Sequence, residues 1–510
     1  MGVPPPRLAK RHRSLHPPFR GDRPLSRGLG FLFRDAAVYG VASGIARFVR
    51  ILLIPIVART VPAAEFGVFD SAGIYSFAAA IAAVIGLDSA VVLLARRAGT
   101  SAASSRAVAG TALLAVIAAG TAVAALGIAA PALWSTLLFG TGAYAPVVIW
   151  GALSVPFAAT LMYLLGLLKW EFRRGWFLAS SLGSAVASVG LTYFVALHTD
   201  LGLPGLVAAT AAGQAAGALV AFWGARDLVA AAWDAASARR LAALGLPFAL
   251  IGVASAIAPS VDRLFLAHAH SLTDTAVYAV GQRIAMLQVL VLGGFQAAWG
   301  PFAFSAAQAP DKEAMFGRVL SLVCVAGAAF TLLLVLIAPW LASVAAGAAY
   351  RPAVMFVAPL GLATALGAVF FVVSIGAFLA ERTVFNLYAY AAGVAVTIAA
   401  NVALVLLDVP PLGIAWANCA GQATGVVLMA SLSQRVHPIR YPFAESALVL
   451  AGAGAAGSWL AARPPETPAG LLAAMGTVVV IAGTWVWLRV LTPAERESAR
   501  RNPGRPRQGS

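Results

Sequence analysis

LGLPGLVAATAAGQAAG, residues 201–217, returns 208 positions later as VPPLGIAWANCAGQATG, residues 409–425. Seven of the seventeen positions are identical without a gap, and the shared core reads Ala-Gly-Gln-Ala-x-Gly. An offset of 209 brings EFGVFDSAG (65–73) onto DTAVYAVGQ (274–282). The chain therefore reads as two equivalent halves, and the composition says what they are made of. Hydrophobic residues make up 61% and charged residues only 11%, with a mean hydropathy of +0.87. No water-soluble domain buries that much apolar surface, whereas apolar runs of about 20 residues suit membrane-spanning helices.

Fourteen such windows are predicted, from 33–60 and 66–95 at one end to 444–462 and 468–491 at the other. Six fall in each half. Six is even, so the halves share one orientation and relate by an axis along the membrane normal, a transporter plan with a site between the repeats. The expected fold class is all-α: a polytopic membrane protein of about fourteen helices in two parallel-related six-helix lobes plus a terminal helix pair. The expected boundaries are a disordered basic tail over 1–32, an N-lobe over 33–230, a C-lobe over 240–435, helices 13 and 14 over 444–491, and a basic tail over 492–510.

The net charge of +16 does not point to nucleic acid, because its distribution is that of a membrane protein. Arginine and lysine gather in alternate connections, at 95–97 with Arg106, 169–174, Arg226 with 238–240, Lys312 with Arg318, Arg382, and Arg435 with Arg440. That alternation places both termini in the cytoplasm of a bacterial inner membrane protein. The two cysteines, Cys324 and Cys419, sit inside expected helices and lack metal-ligand spacing, so no metal, disulfide framework or cofactor is expected. No phosphate-binding G-x-x-x-x-G-K-[ST] motif for ATP is present, and no paired carboxylates suggest an enzyme.

Charge inside the membrane is costly, and it gathers in four helices. GIARFVRILLIPIVART (44–60) holds Arg47, Arg50 and Arg59. A central arginine costs about 2.5–3.5 kcal/mol on insertion scales. Tyr39, Ser43, Arg47 and Arg50 step by four, four and three, which makes one polar stripe able to line a wet interior. The opening of the second half carries PSVDRLFLA with Asp262 and Arg263, and the next helix GQRIAMLQ with Gln282 and Arg283. Asp70 occupies the related place in the first half. Helices 1, 2, 7 and 8 would then face a central cationic cleft suited to a phosphate-bearing headgroup. Arg47, Arg50, Arg263 and Arg283 are the candidate substrate contacts; Asp70 and Asp262 are candidate coupling acids or ion-pair partners, Asp70 with Arg283 across the lobes. Blander readings stand beside these. Arg59 would snorkel to an interface, Gln214 and Gln422 would serve helix packing, Asp88 would cap or pair with Arg96 or Arg97, and Trp299, Trp340 and Trp459 would belong to interfacial belts.

At these residues the chain resembles a known family. GIARFVRILLIPIVARTVPAAEFGVFDSAG looks like the opening of polysaccharide-biosynthesis membrane proteins of the O-antigen, lipid-linked oligosaccharide flippase type, and SVDRLFLAHAHSLTDTAVYAVGQRIA like the matching start of their second lobe. The resemblance spans about residues 33–435, and Asp70 is an acid outside the family pattern. It places the chain in the multidrug, oligosaccharidyl-lipid and polysaccharide exporter superfamily. It implies an alternating-access flippase for a polyprenyl-diphosphate-linked oligosaccharide, with membrane lipid, polysaccharide polymerase and glycosyltransferases as candidate partners. The alternatives are a flippase for a lipid-linked peptidoglycan precursor and a cation-coupled multidrug exporter. An acid-dominated cavity, not an arginine-lined one, would suit the last.

Overall fold

The computed structural model describes residues 44–46, 49–88, 90, 91, 94, 102–230, 232–306, 312–380, 382, 384–465 and 467–487. Among the described residues every regular element is helical. Each of the fourteen sequence windows contains a helix among the described residues, in the first of them one that covers its last eight positions. The first seven are α1 (Leu53–Thr60), α2 (Ala63–Val84), α3 (Ala102–Ala129), α4 (Ala145–Trp170), α5 (Arg174–His198), α6 (Gly202–Ala225) and α7 (Ala235–Ala269). The second seven are α8 (Leu272–Ala306), α9 (Lys312–Ala346), α10 (Val354–Val373), α11 (Val384–Leu406), α12 (Leu412–Val436), α13 (Phe443–Ala462) and α14 (Pro468–Trp485). Among the described residues, eleven helices are long and apolar enough to cross a membrane. The 35-residue α7 and α8 carry the buried charges in addition.

Local chemistry sets the entry points of those two charged helices. Asp234 caps α7, accepting from the backbone N–H groups of Ala236 at 3.2 Å and Ser237 at 2.9 Å. Ser271 caps α8, accepting from Asp274 N at 3.0 Å while its hydroxyl donates to the Asp274 carboxylate at 2.6 Å. Each cap satisfies amide groups that the first helical turn leaves without a partner.

Packing repeats with the sequence. Helix α4 packs on α2, α3 and α6, and α6 packs on α5; six helices on, α10 packs on α8, α9 and α12, and α12 packs on α11. The Ala-Gly-Gln repeat is the contact face in both places. A β-carbon on Gly213 would lie 2.4 Å from the backbone nitrogen of Ser188 in α5, and one on Gly421 would lie 1.9 Å from Thr397 Oγ1 in α11. Gly217 and Gly425, one turn on, meet Ser184 and Ala389 of the same partners. Small residues four apart let helix backbones approach where no hydrophobic force separates protein from lipid. Helices α13 and α14 lie outside this pattern, α13 resting on α9 and α10 and α14 on α9.

The two sets of helices meet through α2, which packs on α7 and α8, and through α1, which packs on α9. Glycine makes both ends of α2 close. Near its start a β-carbon on Gly67 would sit 2.3 Å from Leu272 O at the head of α8. At its far end one on Gly245 of α7 would sit 2.4 Å from Ile85 O. There the chain turns left-handed, Ile85 at φ 53° and Gly86 at φ 64°, so the expected 66–95 helix breaks after Val84 and turns helical again at Leu87. The connection after α3 is not a plain loop. Pro131 opens a short helix to Phe139, which Gly140 closes at φ 75°. Trp299 departs from its expected interfacial place. It is 4% exposed, donates Nε1–H to Phe371 O at 3.0 Å and stacks on Phe295, because it belongs to an apolar cluster of α8, α9 and α10. Trp340 and Trp459 are exposed.

Candidate functional site

Asp70 lies one turn beyond Gly67 on the same face of α2, so the glycine that admits α8 also aims the carboxylate at it. Arg263 of α7 donates Nε–H to Asp70 Oδ2 at 2.8 Å, with its Nη2 2.7 Å from the same oxygen. Arg283 of α8 takes the other oxygen, Nε to Oδ1 at 3.1 Å, with Nη2 on Oδ1 as well. Arg263 Nη2 also donates to Gln282 Oε1 at 2.6 Å, and its guanidinium carbon lies 5.7 Å from the Tyr278 ring centre. One carboxylate thus ties together α2, α7 and α8, three of the helices that join the two sets, and two guanidinium groups against one acid leave the cluster with a charge of +1. The Asp70 side chain is fully enclosed and that of Arg263 is 1% exposed, while 23% of Arg283 is open.

The adjacent Asp262 looks the other way, since consecutive helical residues point about 100° apart. It is fully buried. Tyr278 OH donates to Oδ2 at 2.5 Å, Asn418 Nδ2 to Oδ2 at 2.7 Å and Asn401 Nδ2 to Oδ1 at 3.3 Å. Its partners come from α8, α12 and α11 and are all neutral. The Asn401 amide oxygen, buried beside this carboxylate, has no hydrogen-bond donor among the described residues. An acid surrounded by neutral donors, next to a spare acceptor, is a setting that a proton or a small cation would complete.

The structure therefore brings Asp70, Arg263 and Arg283 together and places Asp262 in a separate nest. Arg263, expected to face a cleft, is enclosed by Asp70, Gln282 and Tyr278 in this conformation, because the close approach of α2 to α7 and α8 leaves it no solvent. Arg50 is exposed, and Arg47 lies outside the described residues, as do Arg96 and Arg97, the expected partners of Asp88. Arg59 does more than snorkel: it donates to Val344 O at the end of α9, across the join. Sequence reasoning missed Asn401 and Asn418. The signal for the first is a lone amide in the apolar run AANVALVLL (399–407). For the second it is a polar residue two positions before the repeated Ala-Gly-Gln.

Sequence comparison finds no matching family model and no matching curated protein. Solved structures do match. A lipid II flippase, MurJ, in an inward closed conformation superposes with a TM-score of 0.70 at 13% identity, over 89% of this chain and 98% of that one. An inward-facing and an outward-facing multidrug resistance transporter of the MATE family, in the MOP superfamily, give TM-scores of 0.59 and 0.55 at 16% and 15% identity. They cover 78% and 79% of this chain and 94% and 95% of their own. The chain is a multi-pass membrane protein with the fold these transporters share.

Proposed function

We propose that this protein is a flippase that carries a polyprenyl-diphosphate-linked oligosaccharide across a bacterial inner membrane by alternating access, with both termini in the cytoplasm. The observation that carries the reading is the Asp70 cluster: two arginines drawn to one acid at the junction of α2, α7 and α8, leaving positive charge deep in an apolar bundle. A carboxylate and a phosphate present the same pair of acceptor oxygens to a guanidinium fork. An arriving diphosphate would exchange for Asp70 on the part-open Arg283, with Arg50 and Arg47 as further contacts. Arg263 stays with Asp70, so the exchange loosens the junction without stranding a buried charge. Asp262, with the spare Asn401 oxygen, is the coupling acid, taking up a proton or small cation as the lobes rock. The lobes are those expected from the sequence, 33–230 and 240–435.

A lipid-linked peptidoglycan precursor is the second reading. The likeness to a lipid II flippase favours it, and the diphosphate chemistry is the same. A drug exporter is disfavoured by the sign of the charge. In a deletion strain the flippase reading expects a lipid-linked sugar to accumulate on the cytoplasmic face, with rescue by the wild type and not by Arg283→Ala at equal abundance. Loss of viability in place of loss of surface polysaccharide would select the peptidoglycan precursor. Normal surface glycan with drug hypersensitivity would overturn the assignment.

A further inference from the structure

A cavity of about 850 Å³ lies between α12 and α13, floored by α9 and α10. None of its walls comes from α1, α2, α7 or α8, so it is separate from the charged junction. It exists because both facing helices present small side chains, Ala423 and Ala430 on α12 against Ala447, Ala451 and Gly454 on α13. The α13 residues recur at helical spacing on one face, and Leu448 on another face is 74% exposed. The deep end is closed by side chains, where a β-carbon on Gly454 would lie 2.9 Å from Leu362 Cδ1 of α10 and 3.3 Å from the Trp416 ring of α12. Gln434 and Phe443 line the other end. From Phe443 to Ala455 the wedge runs about 18 Å along α13 at 1.5 Å per residue, close to the depth of one leaflet of a hydrocarbon core about 30 Å thick.

A wedge of this kind inside a bilayer is filled by hydrocarbon, and its mouth says what the hydrocarbon carries. Arg435 at the end of α12 is exposed, and the Arg440 side chain, 95% exposed, meets Glu313 only at 3.7 Å. Inside, Ser446, a residue 6% exposed, adds a buried hydroxyl to the wall beside Cys324. We infer that the α12–α13 wedge holds one anionic phospholipid of the leaflet on the arginine-rich face, an acyl chain between the helices and its phosphate at Arg435 and Arg440. It is a resident lipid and not the cargo, because the wedge does not reach the cleft that the proposed cargo would use.

The test reads retained lipid, so it is independent of transport. The full-length protein is purified in mild detergent, stripped, mixed with equimolar anionic and zwitterionic phospholipid, and examined by native mass spectrometry. The wild type is expected to keep one anionic phospholipid, and Leu448→Trp, on the far side of α13, to keep it too. Ala451→Trp fills the wedge and should lose it. Arg435→Gln with Arg440→Gln alters only exposed side chains and should lower the anionic preference by about thirtyfold, given about 1 kcal/mol for each of the two surface cations. Retention of the lipid by Ala451→Trp, equal uptake of zwitterionic lipid by the wild type, or a polyprenyl-linked species in place of the phospholipid would each overturn the assignment.

Discussion

Removing Asp70 and removing Arg283 are unequal losses, although the two side chains touch. Asp70→Asn leaves Arg263 enclosed with no acid, and breaking a buried pair from one side costs about 3–5 kcal/mol. Arg283→Ala leaves Asp70 with Arg263, a neutral pair still joined by two contacts to Oδ2. Thermal unfolding in detergent should therefore show a large loss for Asp70→Asn and a small one for Arg283→Ala, whereas complementation should fail for both. Equal stability of the two variants would remove the structural role given to Asp70. The Arg173–Asp227 pair at the foot of α5 and α6 is a contrast. Hydrogen bonding from Arg173 holds the Asp227 carboxyl below its usual range, so the pair stabilises above that range and fades as pH falls through the lowered value. Asp227 is 60% exposed, so Asp227→Asn should cost under about 1 kcal/mol near neutrality. A neutral-pH melting shift as large as that of Asp70→Asn would contradict this. The sequence showed which residues were charged and, for Asp70 and Arg283, a partner across the halves. It did not show that Asp262 and Arg263, neighbours in the chain, would serve different nests. That depends on the rotation of α7 about its own axis, which no local pattern in an apolar helix records. Asn401 and Asn418 went unread because an amide in a membrane helix becomes a site only when a third helix brings it an acid.

In the proposed cycle closure depends on helix α2, which glycine brings close to α8 at one end and to α7 at the other. Valine at position 67 would meet the α8 backbone at Leu272, and valine at 245 the backbone at Ile85. Backbone cannot step aside as a flexible side chain can, so each variant should hold open the end it crowds. Single cysteines placed near Arg59 and near Ile85 should report opposite changes in labelling, Gly67→Val raising the first and Gly245→Val the second. Parallel changes at both positions would mean general loosening and would sink the two-ended view. Elements were the most legible scale. All fourteen windows hold helices, and the Ala-Gly-Gln repeat that marked the halves is the packing face of α6 on α5 and of α12 on α11. The misreadings are tertiary in origin. The 66–95 helix breaks at Ile85 and Gly86 where α7 crosses it, and Trp299 is drawn inward by Phe295 and Phe316. Hydropathy is blind to both, since a lipid-facing tryptophan and a core tryptophan read alike.

Across the whole molecule, the proposed cycle must move charge through the membrane field. With the cell interior negative, outward movement of an anionic headgroup is favoured, by about 2.3 kcal/mol per charge per 100 mV. A diphosphate with two charges would gain about 5 kcal/mol per 100 mV on that scale. The empty cluster of Asp70, Arg263 and Arg283, at +1, is drawn the other way, so the same field favours return of the unloaded protein. The potential therefore acts on the headgroup and the arginines, while an ion concentration gradient acts through Asp262. These two contributions separate in proteoliposomes. An interior-negative diffusion potential should speed outward flipping in the wild type and also in Asp262→Asn, which keeps the hydrogen-bonding shape of the nest and loses its charge. A proton or sodium gradient imposed without a potential should change the rate of the wild type alone. If Asp262→Asn still follows the ion gradient, the acid is not the coupling group. If neither protein responds to the potential, no net charge crosses with the cargo, and the diphosphate passenger must be given up.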